Sequence, residues 1–121
     1  MLRILIIDDE ESILDILDQF LSVSGHHCEV YTDPLEAVEE FKKNSFDLVI
    51  SDIRMPKMNG FEVAEEVAKS RENVSVILIS GFPEQFENNV AAGNYICMGK
   101  PLNLMKLKNI VDEIEAESTP V

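Results

Sequence analysis

Residues 4–12 read "ILIIDDEES". Four apolar residues run straight into Asp8, Asp9, Glu10 and Glu11, with nothing basic beside them. A strand covered on both faces of a parallel sheet is continuously apolar rather than alternating. The stretch therefore predicts a buried strand that ends abruptly in like charges. Two adjacent carboxylates at such a place need a reason.

Downstream, the same pattern recurs. "CEVYT" (28–32), "DLVISD" (47–52), "VSVILIS" (74–80) and "NYICMGK" (94–100) are short runs rich in β-branched or apolar residues. Helical stripes alternate with them. "SILDILDQFLSVSG" places Ile13, Leu14, Leu17, Phe20 and Leu21 on one face, with Gly25 as the residue that stops the helix. Asp33, Pro34 and Glu36 form a helix-start signal, after which Leu35, Val38 and Phe41 are expected inward. "FEVAEEVAK" follows, with Phe61, Ala64, Val67 and Ala68 expected inward. "EQFENNVAAG" is a weak fourth helix. "LNLMKLKNIVDEIEAE" is the fifth, with Leu104, Leu107, Val111 and Ile114 on its stripe.

Five strands alternating with five helices predict an α/β, doubly wound parallel sheet with helices on both faces. The 121 residues suffice for one domain. The expected division is a domain over 1–117 and a frayed tail or linker start over 118–121.

Composition narrows the chemistry. Acids outnumber bases 23 to 10, for a net charge of −13, which argues against nucleic-acid binding by this domain. No apolar run reaches the ~20 residues that span a bilayer, and no signal-peptide pattern opens the chain, so a cytoplasmic setting without membrane attachment is expected. Cys28 and Cys97 lack metal-ligand spacing and are expected as free thiols. His26 and His27 are expected as surface loop residues, since neighbours in a strand point to opposite faces and chelate poorly.

In open parallel sheets, ligands bind beyond the carboxyl ends of the strands. Asp8 and Asp9 end the first predicted strand, Asp52 the third, Ser80 the fourth and Lys100 the fifth. Three converging carboxylates call for a hard divalent cation such as Mg²⁺, which takes oxygen ligands and retains waters. A cation, a lysine and a hydroxyl around a carboxylate describe a phosphoryl-transfer pocket in which the carboxylate is the nucleophile and an acyl phosphate the product. The glycine-rich lysine loop that cradles nucleotide phosphates is absent, which disfavours ATP as donor.

Taken together, "ILIIDDE", "DLVISDIRMPKMNG", "VILIS" and "GKP" resemble, in order and spacing, the receiver domain of two-component response regulators, the family of the chemotaxis response regulator. The resemblance spans roughly residues 2–116. It implies the flavodoxin-like strand order 2-1-3-4-5. It implies Asp52 as phosphoacceptor, charged from the phosphohistidine of a sensor histidine kinase or phosphotransfer protein. Asp9, Asp52 and the Arg54 backbone carbonyl would hold Mg²⁺, or alternatively Mn²⁺, with Asp8 acting through water. Ser80 would be the switch hydroxyl and Lys100 the phosphoryl contact, followed by Pro101 after a cis peptide bond. Output to a partner would pass through the surface of the fourth helix, fifth strand and fifth helix, with phosphorylation-dependent homodimerisation as a further expectation. The domain would not be a turnover enzyme on an external substrate.

Three features depart from the family pattern. Cys97 stands where an aromatic usually precedes the lysine by three; Tyr95, on the same strand face, is the expected partial substitute as switch aromatic, the alternative being output through backbone and helix shifts alone. Gly99 adjoins the lysine. Phe82 and Arg54 occupy positions that in this family influence how fast the phosphoryl group is lost. Two other readings compete. A phosphatase of the haloacid-dehalogenase class would need an acid at position 54, where Arg54 stands. A phosphorylation-independent adaptor or dimerisation module remains the alternative.

Overall fold

The computed structural model describes residues 1–71, 73–81 and 95–118. The expected fourth helix, Phe82 and the last three residues of the expected tail lie outside them. In chain order the elements are β1 (Arg3–Ile7), α1 (Glu11–Val23), β2 (His27–Tyr31), α2 (Pro34–Lys43), β3 (Leu48–Asp52), α3 (Gly60–Ser70), β4 (Ser75–Ser80), β5 (Tyr95–Gly99) and a C-terminal helix (Leu104–Ser118). The five strands form one sheet in the order β2-β1-β3-β4-β5, every pair parallel.

The period-2 geometry of β1 divides the core. Ile4 and Ile6 face α1 and the C-terminal helix, packing with Leu14, Leu17, Leu21, Leu107 and Val111. Leu5 and Ile7 face α2 and α3, packing with Ala37, Phe41, Val63 and Val67. Both faces of β1 are thus covered, as its unbroken apolar run requires.

Helix ends follow local chemistry. Asp33 caps α2 by accepting from the Leu35 N–H at 2.9 Å, and Pro34 occupies the first turn. Asn59 and Glu62 form a reciprocal capping box at α3. Gly25 takes φ +97° after α1, and the Gly25 and His26 N–H groups return to the Ser22 and Leu21 carbonyls in a Schellman motif.

Three expectations are corrected. Leu35 is exposed, while Pro34 and Ala37 take the inward positions of α2, because the stripe begins at the proline of the first turn. Ala68 is exposed, and Val63 lies inward in its helix. An alanine gains too little on burial to decide a face. His26 is buried rather than a surface residue: its Nδ1 accepts the Leu2 N–H at 3.0 Å, so the ring satisfies a donor at the entry to β1. His27 is exposed, with Nε2 3.6 Å from Glu29. Among the described residues no helix is long and apolar enough to cross a membrane.

Candidate functional site

Parallel strands deliver their carboxyl ends to one edge of the sheet, and backbone hydrogen bonds fix that edge. Asp8 N–H donates to the Tyr31 carbonyl at 3.2 Å, Ile53 N–H to Ile79 at 3.0 Å, and Lys100 N–H to Ser80 at 2.8 Å. These bonds set the positions of Asp8, Asp52, Ser80 and Lys100 against one another. The Lys100–Pro101 peptide is cis, as expected.

The Asp8, Asp9 and Asp52 carboxylates approach within 4.8 Å of one another. Asp8 and Asp52 are buried, while Asp9 is exposed. Lys100 Nζ lies 3.5 Å from Asp52 Oδ1, and the Ile53 N–H donates to the same oxygen at 3.0 Å. A cleft of about 210 Å³ opens over them, lined by Asp9, Glu10, Asp52, Arg54, Ser80, Gly81 and Lys100.

Electrostatics show what the cluster lacks. Burial pushes the Asp8 carboxyl up to about 6, against the N–H of Glu10 that holds Oδ1 at 2.9 Å, and the Asp52 charge pushes it further up. Burial also raises Asp52, opposed by Lys100 and the Ile53 N–H. One lysine therefore does not neutralise the group. Three carboxylates with oxygen donors on a polar cleft fit a hard divalent cation, and among the described residues no thiol or imidazole lines the cleft to favour a softer one.

The loop after Asp52 is held close. Met58 N–H donates to the Pro56 carbonyl at 2.8 Å around Lys57, whose φ is +73°, a strained γ-turn. Lys57 is tied to Asp33 at 2.9 Å. Gly60 begins α3 directly against the phosphoacceptor candidate: its N–H donates to the Ile53 carbonyl at 2.9 Å, and a Cβ there would lie 2.7 Å from the Asp52 carbonyl oxygen.

A protein-family model described as "Response regulator receiver domain" matches residues 4–112. The chain belongs to the response regulator receiver family. Among curated relatives, the transcriptional regulatory protein RprY of Bacteroides fragilis is 34% identical over 79 residues, covering 65% of this chain and 34% of that protein. The two-component response regulator ARR12 of Arabidopsis thaliana is 34% identical over 113 residues, covering 90% of this chain and 19% of its own length. The receiver thus spans about a third or less of these relatives. Among solved structures, the response regulator TrrA of Thermotoga maritima, in complex with Mg²⁺–BeF, is 33% identical with a TM-score of 0.83, over 94% of this chain and 99% of that one. CheY4, a chemotaxis protein of Vibrio cholerae, is 28% identical with a TM-score of 0.84, over 94% and 98%.

The receiver brings together Asp8, Asp9, Asp52, Ser80 and Lys100, and Arg54 lines the same cleft. Tyr95 lies elsewhere: its ring packs on Phe61 at 5.8 Å between centroids, tilted 58°. The sequence reading gave no role to Glu10, which lines the cleft as the third acid of the opening run, and marked Gly60 only as the end of the loop after Asp52, not as a residue packed against it.

A second group, His26, Asp112 and Glu115, also gathers within 4.8 Å. It does not suit a metal. The Nδ1 lone pair of His26 is occupied by the Leu2 N–H, and Nε2 could ligate only if the ring lost its last proton. Glu115 instead pairs with the Met1 ammonium at 2.7 Å.

Proposed function

We propose that Asp52 is the phosphoacceptor of this receiver, charged from the phosphohistidine of a sensor histidine kinase or phosphotransfer protein. The observation that carries the reading is the gathering of Asp8, Asp9 and Asp52 beside Lys100 at the carboxyl ends of β1, β3 and β5, on one edge of the sheet. An Asp52 carboxylate oxygen attacks phosphorus, a P–O bond forms as the P–N bond breaks, and the electron pair stays with the departing imidazole nitrogen.

Asp9 and Asp52 would hold Mg²⁺, or Mn²⁺ in its place, with the Arg54 carbonyl as a further ligand and Asp8 acting through water. Bound there, the cation neutralises oxygens of the transferring phosphoryl group. Lys100 supplies a second positive charge, aimed at the same oxygens, and Ser80 a hydroxyl donor. The Ile53 N–H keeps Asp52 oriented.

The phosphorylated form shifts a pre-existing conformational equilibrium. The domain would act in the cytoplasm, release its own phosphoryl group by hydrolysis, and leave external substrates alone. Its output partner would meet β5 and the C-terminal helix, and a phosphorylation-dependent homodimer would use the same surface. The test is intact mass after incubation with acetyl phosphate. One added phosphoryl group that requires Mg²⁺ and disappears in Asp52→Ala supports the reading. An adduct that persists in Asp52→Ala overturns it.

A further inference from the structure

The face of β5 turned toward α3 carries Tyr95, Cys97 and Gly99, so its side chains shrink toward the cleft. Gly99 stands beside Ser80 and offers it no side chain at all. The first large group on that face is Tyr95, at the far end of the strand, where it pairs in register with Val76. Movement at Ser80 therefore meets no bulky neighbour on this face of β5.

A different path runs through direct contacts from one residue to the next. Asp52 Oδ1 takes the Ile53 N–H. The Ile53 carbonyl takes the Gly60 N–H, and Gly60 sits so close to the Asp52 main chain that even a methyl group would collide with it. The next residue is Phe61, whose ring meets Tyr95. The Asn59–Glu62 capping box stiffens this first turn of α3, so the turn moves as a unit. Close-packed interiors transmit displacement rather than absorb it.

We propose that Tyr95, seated on Phe61, is the positioning residue that carries the state of Asp52 to the β5 edge of the sheet by way of the first turn of α3. The proposal rests on Asp52 being the phosphoacceptor. It assigns the coupling to a pair of rings on α3 and β5, in place of an aromatic at position 97.

The chain has two tyrosines, so 3-fluorotyrosine labelling gives two fluorine resonances, assigned with Tyr31→Phe. Both are followed as Mg²⁺ and beryllofluoride are added, while calorimetry independently records whether beryllofluoride binds. The expected result is a shift of the Tyr95 resonance that saturates with the calorimetric isotherm. In Phe61→Leu the isotherm persists, which shows a folded site, and the Tyr95 shift is lost. Binding reciprocity adds a second readout. Phe61→Leu and Tyr95→Leu should each change beryllofluoride affinity several-fold in the same direction, and the double variant no more than either alone. A complete isotherm with Tyr95 unmoved would overturn this inference and leave the phosphoacceptor reading standing. A Tyr95 shift undiminished in Phe61→Leu would overturn the route through Phe61. Absence of any beryllofluoride binding would overturn both.

Discussion

Asp52 Oδ1 and Lys100 Nζ stand 3.5 Å apart although they are 48 positions apart in the chain, because β3 and β5 flank β4 and end at the same edge. The lysine lies near both an acceptor carboxylate and a cluster that attracts cations, so its two effects oppose. Lys100→Ala should bind Mg²⁺ at least as tightly as wild type, since a competing positive charge is gone. Phosphorylation by acetyl phosphate should slow by about 100-fold, the usual loss when one preorganised charge-stabilising donor is removed. Calorimetry for Mg²⁺ and the rate of mass gain read the two effects separately.

Asp8 gives a pH prediction. Its folded-state value of about 6 lies above the ordinary 3.8. The folded chain therefore binds more protons between those values, and Asp8 costs stability as pH rises through that window. At pH 7 without Mg²⁺ the ionised group should cost roughly 3 kcal/mol. Asp8→Asn should unfold at a higher temperature than wild type at pH 7, with the gap closing toward pH 4. Saturating Mg²⁺ should stabilise wild type more than the variant. Thermal unfolding against pH, with and without Mg²⁺, checks all three statements.

The helix start beside Asp52 has no room to spare. Gly60→Ala places a methyl group 2.7 Å from the Asp52 carbonyl oxygen and 2.9 Å from Ile53 Cα. Both are backbone atoms, so the conflict must move the chain. A cost of about 1–3 kcal/mol is expected, together with weaker beryllofluoride binding. A Cβ at Gly81 meets nothing within 4 Å, so Gly81→Ala should unfold within about 0.5 kcal/mol of wild type. Denaturant titration of the two variants side by side gives the comparison.

Far from the cleft, His26→Ala should remove the acceptor of the buried Leu2 N–H. The expected cost is about 1–3 kcal/mol, with Mg²⁺ binding and phosphorylation rate unchanged. Denaturant unfolding measures the first effect and acetyl phosphate labelling the second. Added Zn²⁺, which can also enter the acidic cleft, should shift the unfolding temperatures of wild type and His26→Ala by the same amount, because His26 is not a ligand.

Much of this was legible in the sequence because the signals were periodic or stood at strand ends. The unbroken apolar run before Asp8 marked β1 as covered on both faces, and the acids after it marked the edge where ligands gather. The helix stops at Gly25 and starts at Asp33 were equally plain. Packing between distant elements was not. Leu35 fits an inward stripe by spacing alone, yet the stripe begins one residue earlier, at Pro34. His26 looks like a loop residue until the chain before β1 folds onto it and finds an acceptor. The closeness of Gly60 to Asp52 depends on the path of the intervening loop, including the positive φ at Lys57, and no local pattern announces it. The seat of Tyr95 on Phe61 is likewise a contact between elements 34 residues apart in the chain.

The central claim is that the phosphoryl group rests on Asp52, and the most direct measurement is to locate it. The receiver is phosphorylated with acetyl phosphate and Mg²⁺, the acyl phosphate is reduced with borohydride, and the peptides are mapped by mass. The account predicts reduction at Asp52 alone, absent when Mg²⁺ is chelated. Reduction at Asp8 or Asp9 with Asp52 untouched would contradict it.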